Sequence, residues 1–341
     1  MGGKLLTSVF NLPERRISRE EYEQLRLDVI YHFKCVFPYC RIDTPKLLND
    51  KDSAGDLDII VNLQSAQVES VIKETWKIKP HHNGNVLSLP INSFQVDIIY
   101  VDNKYFQSTL NFFNYGDCSN LMGRIANFQG LNFGTQGLFF KLLRSYFSGQ
   151  HGDVNPLGKI YITDSIYDIL TFLGLDYSKW ISGFDSEDNV FEFIESSPYF
   201  NPRAFFFDEL NHENRSRNKN RPMYCRFVDR IAEKYKDQII PRLSKQYWFP
   251  RVIKKWPHVL DKIEEYRPQY ERQYIISKKW NGDIIKEIPL TGKDLGKFII
   301  SFKKKHEPFL DFIIENSIDN IRESVKVHFS VMKVQPPTPL L

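Results

Sequence analysis

Between Ser18 and Val36 apolar residues return at helical spacing, at Leu25, Val29 and Phe33, and the segment opens on Ser18 with Glu21 three positions later, the pair that makes a capping box. This predicts a helix over 18–36. The period then shortens: Leu57-Asp-Ile-Ile-Val-Asn-Leu63 is β-branched and largely alternating, and predicts a strand entered through Gly55. Residues 65–76 return to helical spacing, Asn83-Gly84 marks a turn, and Val86–Leu89 and Phe94–Val101 read as two more strands. Helix, strand, helix, strand, strand predicts a small mixed sheet with helices packed on it, an α/β arrangement of the α+β kind.

Helical patterns take over from about 134 to 176. They include Gly137-Leu-Phe-Phe-Lys-Leu-Leu-Arg-Ser-Tyr-Phe147 and Ser165–Leu173, separated by a Gly- and Pro-bearing loop at 149–158. Residues 211–222 are polar throughout and predict a surface loop. A helix follows over 223–244, and Pro250 and Pro257 interrupt the aromatic stretch around Trp248. Near the end, Trp280-Asn-Gly-Asp283 predicts a hairpin, helices are expected over 293–305 and 308–327, and the Pro-rich tail is expected to fray. The expected division is a sheet domain (1–133), a helical domain shaping a cleft (134–270) and a small C-terminal hairpin and helical unit (271–341).

A length of 341 residues exceeds a single ordinary core, and 42% hydrophobic with 26% charged residues fits a globular chain. The 27 Phe and 17 Tyr predict a core rich in rings. A net charge of +4 leaves polyanion binding to local clusters. Cys35, Cys40, Cys118 and Cys225 have neither zinc-ligand spacing nor the density of a disulfide scaffold, so they read as reduced thiols. There is no signal-type leader and no run of 18 apolar residues, so the expectation is a soluble cytoplasmic protein, of a cell or an infected host, with no membrane partner.

The candidate chemistry lies in the strands. In Gly55-Asp56-Leu57-Asp58-Ile59 the two carboxylates are two residues apart and share one face, while Leu57 and Ile59 face the core. Such a pair repels unless a cation lies between. Asp97 interrupts an otherwise apolar strand, Phe94-Gln-Val-Asp-Ile-Ile-Tyr-Val101, where an unpaired buried carboxylate would cost several kcal/mol. If the strands are neighbours, the three carboxylates converge in a set suited to magnesium, which prefers oxygen ligands.

This arrangement resembles the nucleotidyltransferases of the DNA polymerase beta superfamily, which share a Gly/Ser-Asp-x-Asp strand and a third Asp on a nearby strand. The resemblance covers residues 40–105. It implies two Mg2+ ions, with Mn2+ as the alternative, bridged by Asp56 and Asp58, while Asp97 binds the ion at the acceptor hydroxyl and helps deprotonate it. It further implies a nucleoside triphosphate donor, ATP included, and transfer of a nucleoside monophosphate to a hydroxyl, with RNA or DNA as the expected acceptor. The superfamily's Gly-Ser pair, which holds the triphosphate by main-chain N–H groups, is missing. Lys46, Lys51 and Ser53, with Gly55, stand in that stretch, and Gly2-Gly3-Lys4 could fold back as an anion nest. A non-catalytic nucleic-acid-binding scaffold and a transferase acting on a protein or small molecule are the alternatives.

Further candidates are basic. Lys141 and Arg144 would lie three apart on one helix face, to meet triphosphate or template or simply to be solvated, with Arg124 just before them. Arg215, Arg217, Lys219 and Arg221, with Lys245, Arg251, Lys254, Lys255 and the rings of Tyr247, Trp248 and Phe249, could grip and stack a nucleic acid. His81-His82 reads as part of a polar turn. Leu290-Thr-Gly-Lys-Asp-Leu is similar to the Gly-x-Asp-Leu element of CCA-adding tRNA nucleotidyltransferases, which favours an RNA 3′ end among acceptors.

Overall fold

The computed structural model describes residues 4–148, 157–236, 238 and 245–334. Gly2, Gly3, most of the expected 149–158 loop and the tail from 335 lie outside the described residues. The chain divides into two compact units, Met1–Leu142 with Pro156–Val259, and Leu143–Asn155 with Leu260–Leu341. The boundary expected at 133/134 therefore lies inside the first unit, and the division near the C-terminus falls at 259/260.

The first unit begins with α1 (Lys4–Ser8), β1 (Ile17–Ser18), α2 (Arg19–Val36), β2 (Ile42–Asp43), β3 (Ser53–Ala54), β4 (Asp56–Val61), α3 (Ser65–Thr75), β5 (His81–Asn83), β6 (Val86–Ile91) and β7 (Phe94–Tyr100). Next come α4 (Phe106–Phe113), α5 (Cys118–Phe128), β8 (Leu131–Gly134) and β9 (Gly137–Leu142). The short α6 (Ser145–Ser148) belongs to the second unit, and the first resumes with β10 (Gly158–Thr163), α7 (Ile166–Phe172), α8 (Tyr177–Ser182), α9 (Glu187–Glu195), α10 (His212–Lys219), α11 (Pro222–Lys234) and α12 (Phe249–Lys255). The class is α+β.

The capping box predicted at α2 is present in both halves: Glu21 N–H donates to Ser18 Oγ (3.2 Å) and Ser18 N–H to Glu21 Oε2 (2.8 Å). Its apolar stripe, Tyr22, Leu25, Val29 and Phe33, joins Val68, Val71 and Ile72 of α3 against one face of a five-stranded sheet ordered β2-β4-β7-β6-β5. That face presents Leu57, Ile59, Val61, Val96, Ile98, Leu87 and Leu89, all fully buried. Each such side chain contributes about 1.5–3 kcal/mol by leaving water, so the parity of these strands is firmly set.

Three expectations are corrected. The stretch from Gly137 is not a helix but β9, the middle strand of a three-stranded antiparallel sheet ordered β10-β9-β8. A short apolar run fits either period, and the turn between the paired Gly134 and Gly137 decides it. Gly137 has φ +104°, and a Cβ there would lie 2.5 Å from the Thr163 carbonyl oxygen. The polar segment 211–222 is not a loop: Asn211 caps α10 by accepting from Asn214 N–H at 3.0 Å. Asn281 likewise accepts from Asp283 N–H (2.9 Å) and starts a short helix where a hairpin was expected.

The second unit contains most of α13 (His258–Lys279), with α14 (Gly282–Ile285), α15 (Gly292–Lys305), α16 (Phe309–Glu315) and α17 (Ile318–Val334), so the helix expected over 308–327 is two helices. Its core is Ile284, Phe298, Phe302, Ile313, Ile321 and Val325, with Trp280 stacked on Phe302 at 5.3 Å between centroids.

His306 and His328 line this core. His306 stacks on Phe312 (4.0 Å), His328 packs against Phe298 and Phe302, and His306 Nε2 and His328 Nδ1 are buried with no hydrogen-bond partner among the described residues. Burial, then the Lys305 charge, pushes both imidazoles below the ordinary value of 6.5. The unfolded chain therefore binds protons first, so the unit keeps its stability above pH 6.5 and loses it as pH falls from 6.5 through the lower folded values. Hydrogen exchange of α15 and α17 amides between pH 7.5 and pH 5 should show falling protection. A slope unchanged in a His306→Leu/His328→Phe variant would show that these rings do not cause it.

Candidate active site

Strand β4 runs parallel to β7 with Asp58 opposite Asp97 and Asp56 opposite Gln95, and β6 runs antiparallel to β7 with Ser88 opposite Asp97. On the far side Ser88 faces His81 of β5. Because side chains alternate, Asp58, Asp97, Ser88 and His81 form one polar row across the sheet, on the face turned away from α2 and α3. Farther along the same face the row becomes apolar, where Ile60, Ile99 and Val86 pack with Phe106, Leu110 and Phe113. His81-His82, expected in a turn, lies on an edge strand.

The carboxylates act on one another. Asp58 is held well above the ordinary carboxylate value, by burial first and then by the charges of Asp56 and Asp97, with Lys51 opposing. Asp97 is raised by burial, opposed by the neighbouring Ser88 hydroxyl and Gln95 amide, which favour its ionised form. Its Oδ2 accepts from Gln95 Nε2 at 2.8 Å, while its Oδ1 is buried with no partner among the described residues. Beside them the Tyr22 hydroxyl is pushed up by burial, then by the charge of Asp58 and, more weakly, those of Glu23 and Asp56.

Among the described residues no three His, Cys, Asp or Glu side chains form a ready-made metal cage. Magnesium seldom needs one, taking one or two carboxylates with substrate phosphates and water. The donor set fits that mode: hard oxygens in two adjacent strand rows, their mutual repulsion only partly offset by Lys51, and one carboxylate oxygen left without a partner among the described residues.

Strand β2 pairs antiparallel with β4, and Thr44-Pro45-Lys46 follows directly after it. The main chain there cannot cradle a phosphate. Pro45 has no N–H, Thr44 N–H donates to Asp43 Oδ1 (2.8 Å), and Lys46 N–H donates to Asn114 Oδ1 (2.8 Å). Arg19, Glu23, Arg26, Thr44 and Lys46 line a cleft of about 260 Å³ together with Tyr22, with Arg26 paired to Glu23 at 2.8 Å and Arg19 donating to the carbonyls of Leu48 (3.1 Å) and Asn49 (3.0 Å). Arg19 and Arg26 were not legible as site residues, since only the packing of α2 brings them to this loop. Lys51 acts on Asp58, Gly55 is buried at the entrance to β4, and Ser53 Oγ accepts from Arg16 Nε (3.0 Å).

Most of the other basic candidates are held in structural contacts. Lys141 lies on β9 opposite Lys159, and Arg144 follows the end of that strand, so the expected shared helix face does not exist. Arg215 donates to the carbonyls of Phe207 (2.8 Å) and Leu210 (3.0 Å), Arg221 is ion-paired with Asp117, and Arg217 is exposed. Arg124 is also lowered by burial and donates to Ala204 O (2.8 Å), while Arg251 lies 3.8 Å from the rings of both Phe172 and Tyr199. Lys255 pairs with Asp168 at 3.2 Å, Trp248 is buried, and Lys219, Lys254 and Tyr247 remain on the surface. The Lys245 side chain lies outside the described residues. Gly292-Lys-Asp-Leu forms the first turn of α15, in the second unit.

No protein-family model matches the chain, and no curated protein matches it. Among the described residues no helix is long and apolar enough to cross a membrane.

Proposed function

We propose that the chain is a divalent-cation-dependent nucleotidyltransferase that moves a nucleoside monophosphate from a nucleoside triphosphate to a hydroxyl, with a nucleic acid as acceptor and an RNA 3′ end slightly favoured. The observation that carries this reading is the register of two parallel strands that sets Asp58 against Asp97 with Asp56 two residues away, all on one polar face. A bound pair of Mg2+ or Mn2+ ions would neutralise charge on the phosphates and on the attacking and leaving oxygens, held by Asp56, Asp58 and Asp97. Asp97 would also take the proton of the acceptor hydroxyl. The hydroxyl oxygen bonds to the α-phosphorus, the bond to the β-phosphate oxygen breaks, and pyrophosphate leaves. Arg19, Arg26, Lys46 and Lys51 balance the phosphate charge that main-chain amides carry in the families this chain resembles.

The spent amides at Thr44 and Lys46 favour a second reading, a non-catalytic scaffold that keeps the sheet. One assay separates them. Purified protein is offered each of the four ribonucleoside and four deoxyribonucleoside triphosphates with Mg2+ or Mn2+ and a mixed RNA and DNA acceptor pool, beside an Asp56→Ala/Asp58→Ala control. Pyrophosphate released by the wild type and lost in the control is the expected result. No release from folded protein with any donor and acceptor would leave the scaffold reading. If a protein or small molecule is the acceptor, release would need that acceptor and binding to single strands would lack a steep salt dependence.

A further inference from the structure

Gln95 is an unusual residue for the centre of a sheet: only 5% exposed, it lies on the polar face two residues before Asp97 and opposite Asp56. A buried amide must find partners for both its ends. Its oxygen accepts from the main-chain N–H of Leu5 at 3.3 Å, and its nitrogen donates to Asp97 Oδ2 at 2.8 Å. The orientation is unambiguous, because a main-chain N–H can only donate: Oε1 must face Leu5, and Nε2 is left to face the carboxylate. Leu5 N–H is free for this bond because it belongs to the first turn of α1, where amides have no helical acceptor. The fully buried Leu6 side chain and the Leu12 N–H to Leu6 O bond (2.8 Å) hold that turn in place. The relay ends on a carboxylate whose second oxygen is buried and has no partner among the described residues.

We propose that Gln95 is a positioning residue for Asp97. Anchored by the N-terminal helix, it fixes one carboxylate oxygen so that the other is the one presented to a divalent cation. The inference rests on the metal-dependent reading above and adds to it that α1, more than fifty residues from the aspartate strand, is part of the metal-binding apparatus. Side chains of this kind, one step behind a ligand, change metal affinity about 10–100-fold when removed.

The test is Mn2+ affinity of the full chain, followed by the loss of the free-ion electron paramagnetic resonance signal, with no substrate present. Gln95→Leu should weaken binding about tenfold. Leu5→Pro should do nearly the same from the other end of the relay, since proline in a first helical turn removes the N–H without breaking the helix. It also keeps the test alive if Gln95→Leu fails to fold. In an Asp97→Asn background Gln95→Leu should cost little more, because the residue then has no ligand to position. The same loss in both backgrounds, or unchanged affinity in folded Gln95→Leu and Leu5→Pro proteins, would overturn the positioning role while leaving the metal site intact. A wild type that binds no Mn2+ would overturn the metal-dependent reading and this inference with it.

Discussion

Asp58→Asn is expected to abolish nucleotidyl transfer and at the same time to raise the melting temperature of the metal-free protein. The two effects have one cause. Asp58 is half-buried beside Asp56 and the facing Asp97, so its ionised form is opposed by desolvation and by two like charges, with Lys51 as partial compensation. Asparagine keeps the shape and removes the charge, which relieves the apo fold; a gain of 1 kcal/mol corresponds to roughly 2–4 °C in a unit of this size. The same charge is what a divalent cation would neutralise, so the rate should fall by about 10³-fold or more, the scale on which charge neutralisation acts in phosphoryl transfer. Mg2+ should stabilise the wild type and leave the variant unmoved. Melts with and without Mg2+, beside pyrophosphate release, check both halves. A variant that melts lower than wild type without metal would mean that Asp58 is structural, and one that still releases pyrophosphate would remove it from the chemistry.

Arg221→Ala should destabilise the first unit by on the order of 3 kcal/mol, the cost of leaving one partner of a buried ion pair uncompensated. Its guanidinium pairs with Asp117 at the N-terminal end of α5, with side-chain exposures of 25% and 11%. The neighbouring Lys219, exposed on the last turn of α10, should change stability by less than about 0.5 kcal/mol when replaced by alanine. Urea unfolding of the two variants decides between them. If Arg221→Ala leaves stability unchanged but weakens single-strand binding with a shallower salt dependence, the residue belongs to a nucleic-acid surface after all. The density of positive charge in 211–222 is the same in either case, and what differs is which carbonyls and carboxylates lie within reach.

The sheet that carries the aspartates was legible because its evidence is local and repeated. The capping pair Ser18 and Glu21, the alternation through Leu57, Ile59 and Val61, and the same alternation through Val96 and Ile98 each fix the faces of an element without knowledge of its neighbours. Once the apolar face is assigned, Asp56, Asp58 and Asp97 must lie on the other one. Lys51 could be placed near them for the same reason, since it is joined to β4 by a few residues of chain.

Where the sequence misled, the local signal was two-valued. Leu138-Phe-Phe-Lys-Leu142 satisfies a strand or a helix, and the turn at Gly134–Gly137 with pairing to β8 and β10 commits it to β9. A run of arginines reads as a solvated or phosphate-gripping surface until the chain folds back, and here Phe207, Leu210 and Asp117 consume Arg215 and Arg221. The sequence by itself determined α2, β4 and β7, their buried faces and the three carboxylates, because helix and strand periods are properties of neighbouring residues. Tertiary structure alone decided that Asp58 faces Asp97, that Arg19 and Arg26 reach the loop lacking Gly-Ser, and that Leu5 anchors Gln95. Those are contacts between residues tens of positions apart, and their geometry is set by strand register and helix packing rather than by any local preference.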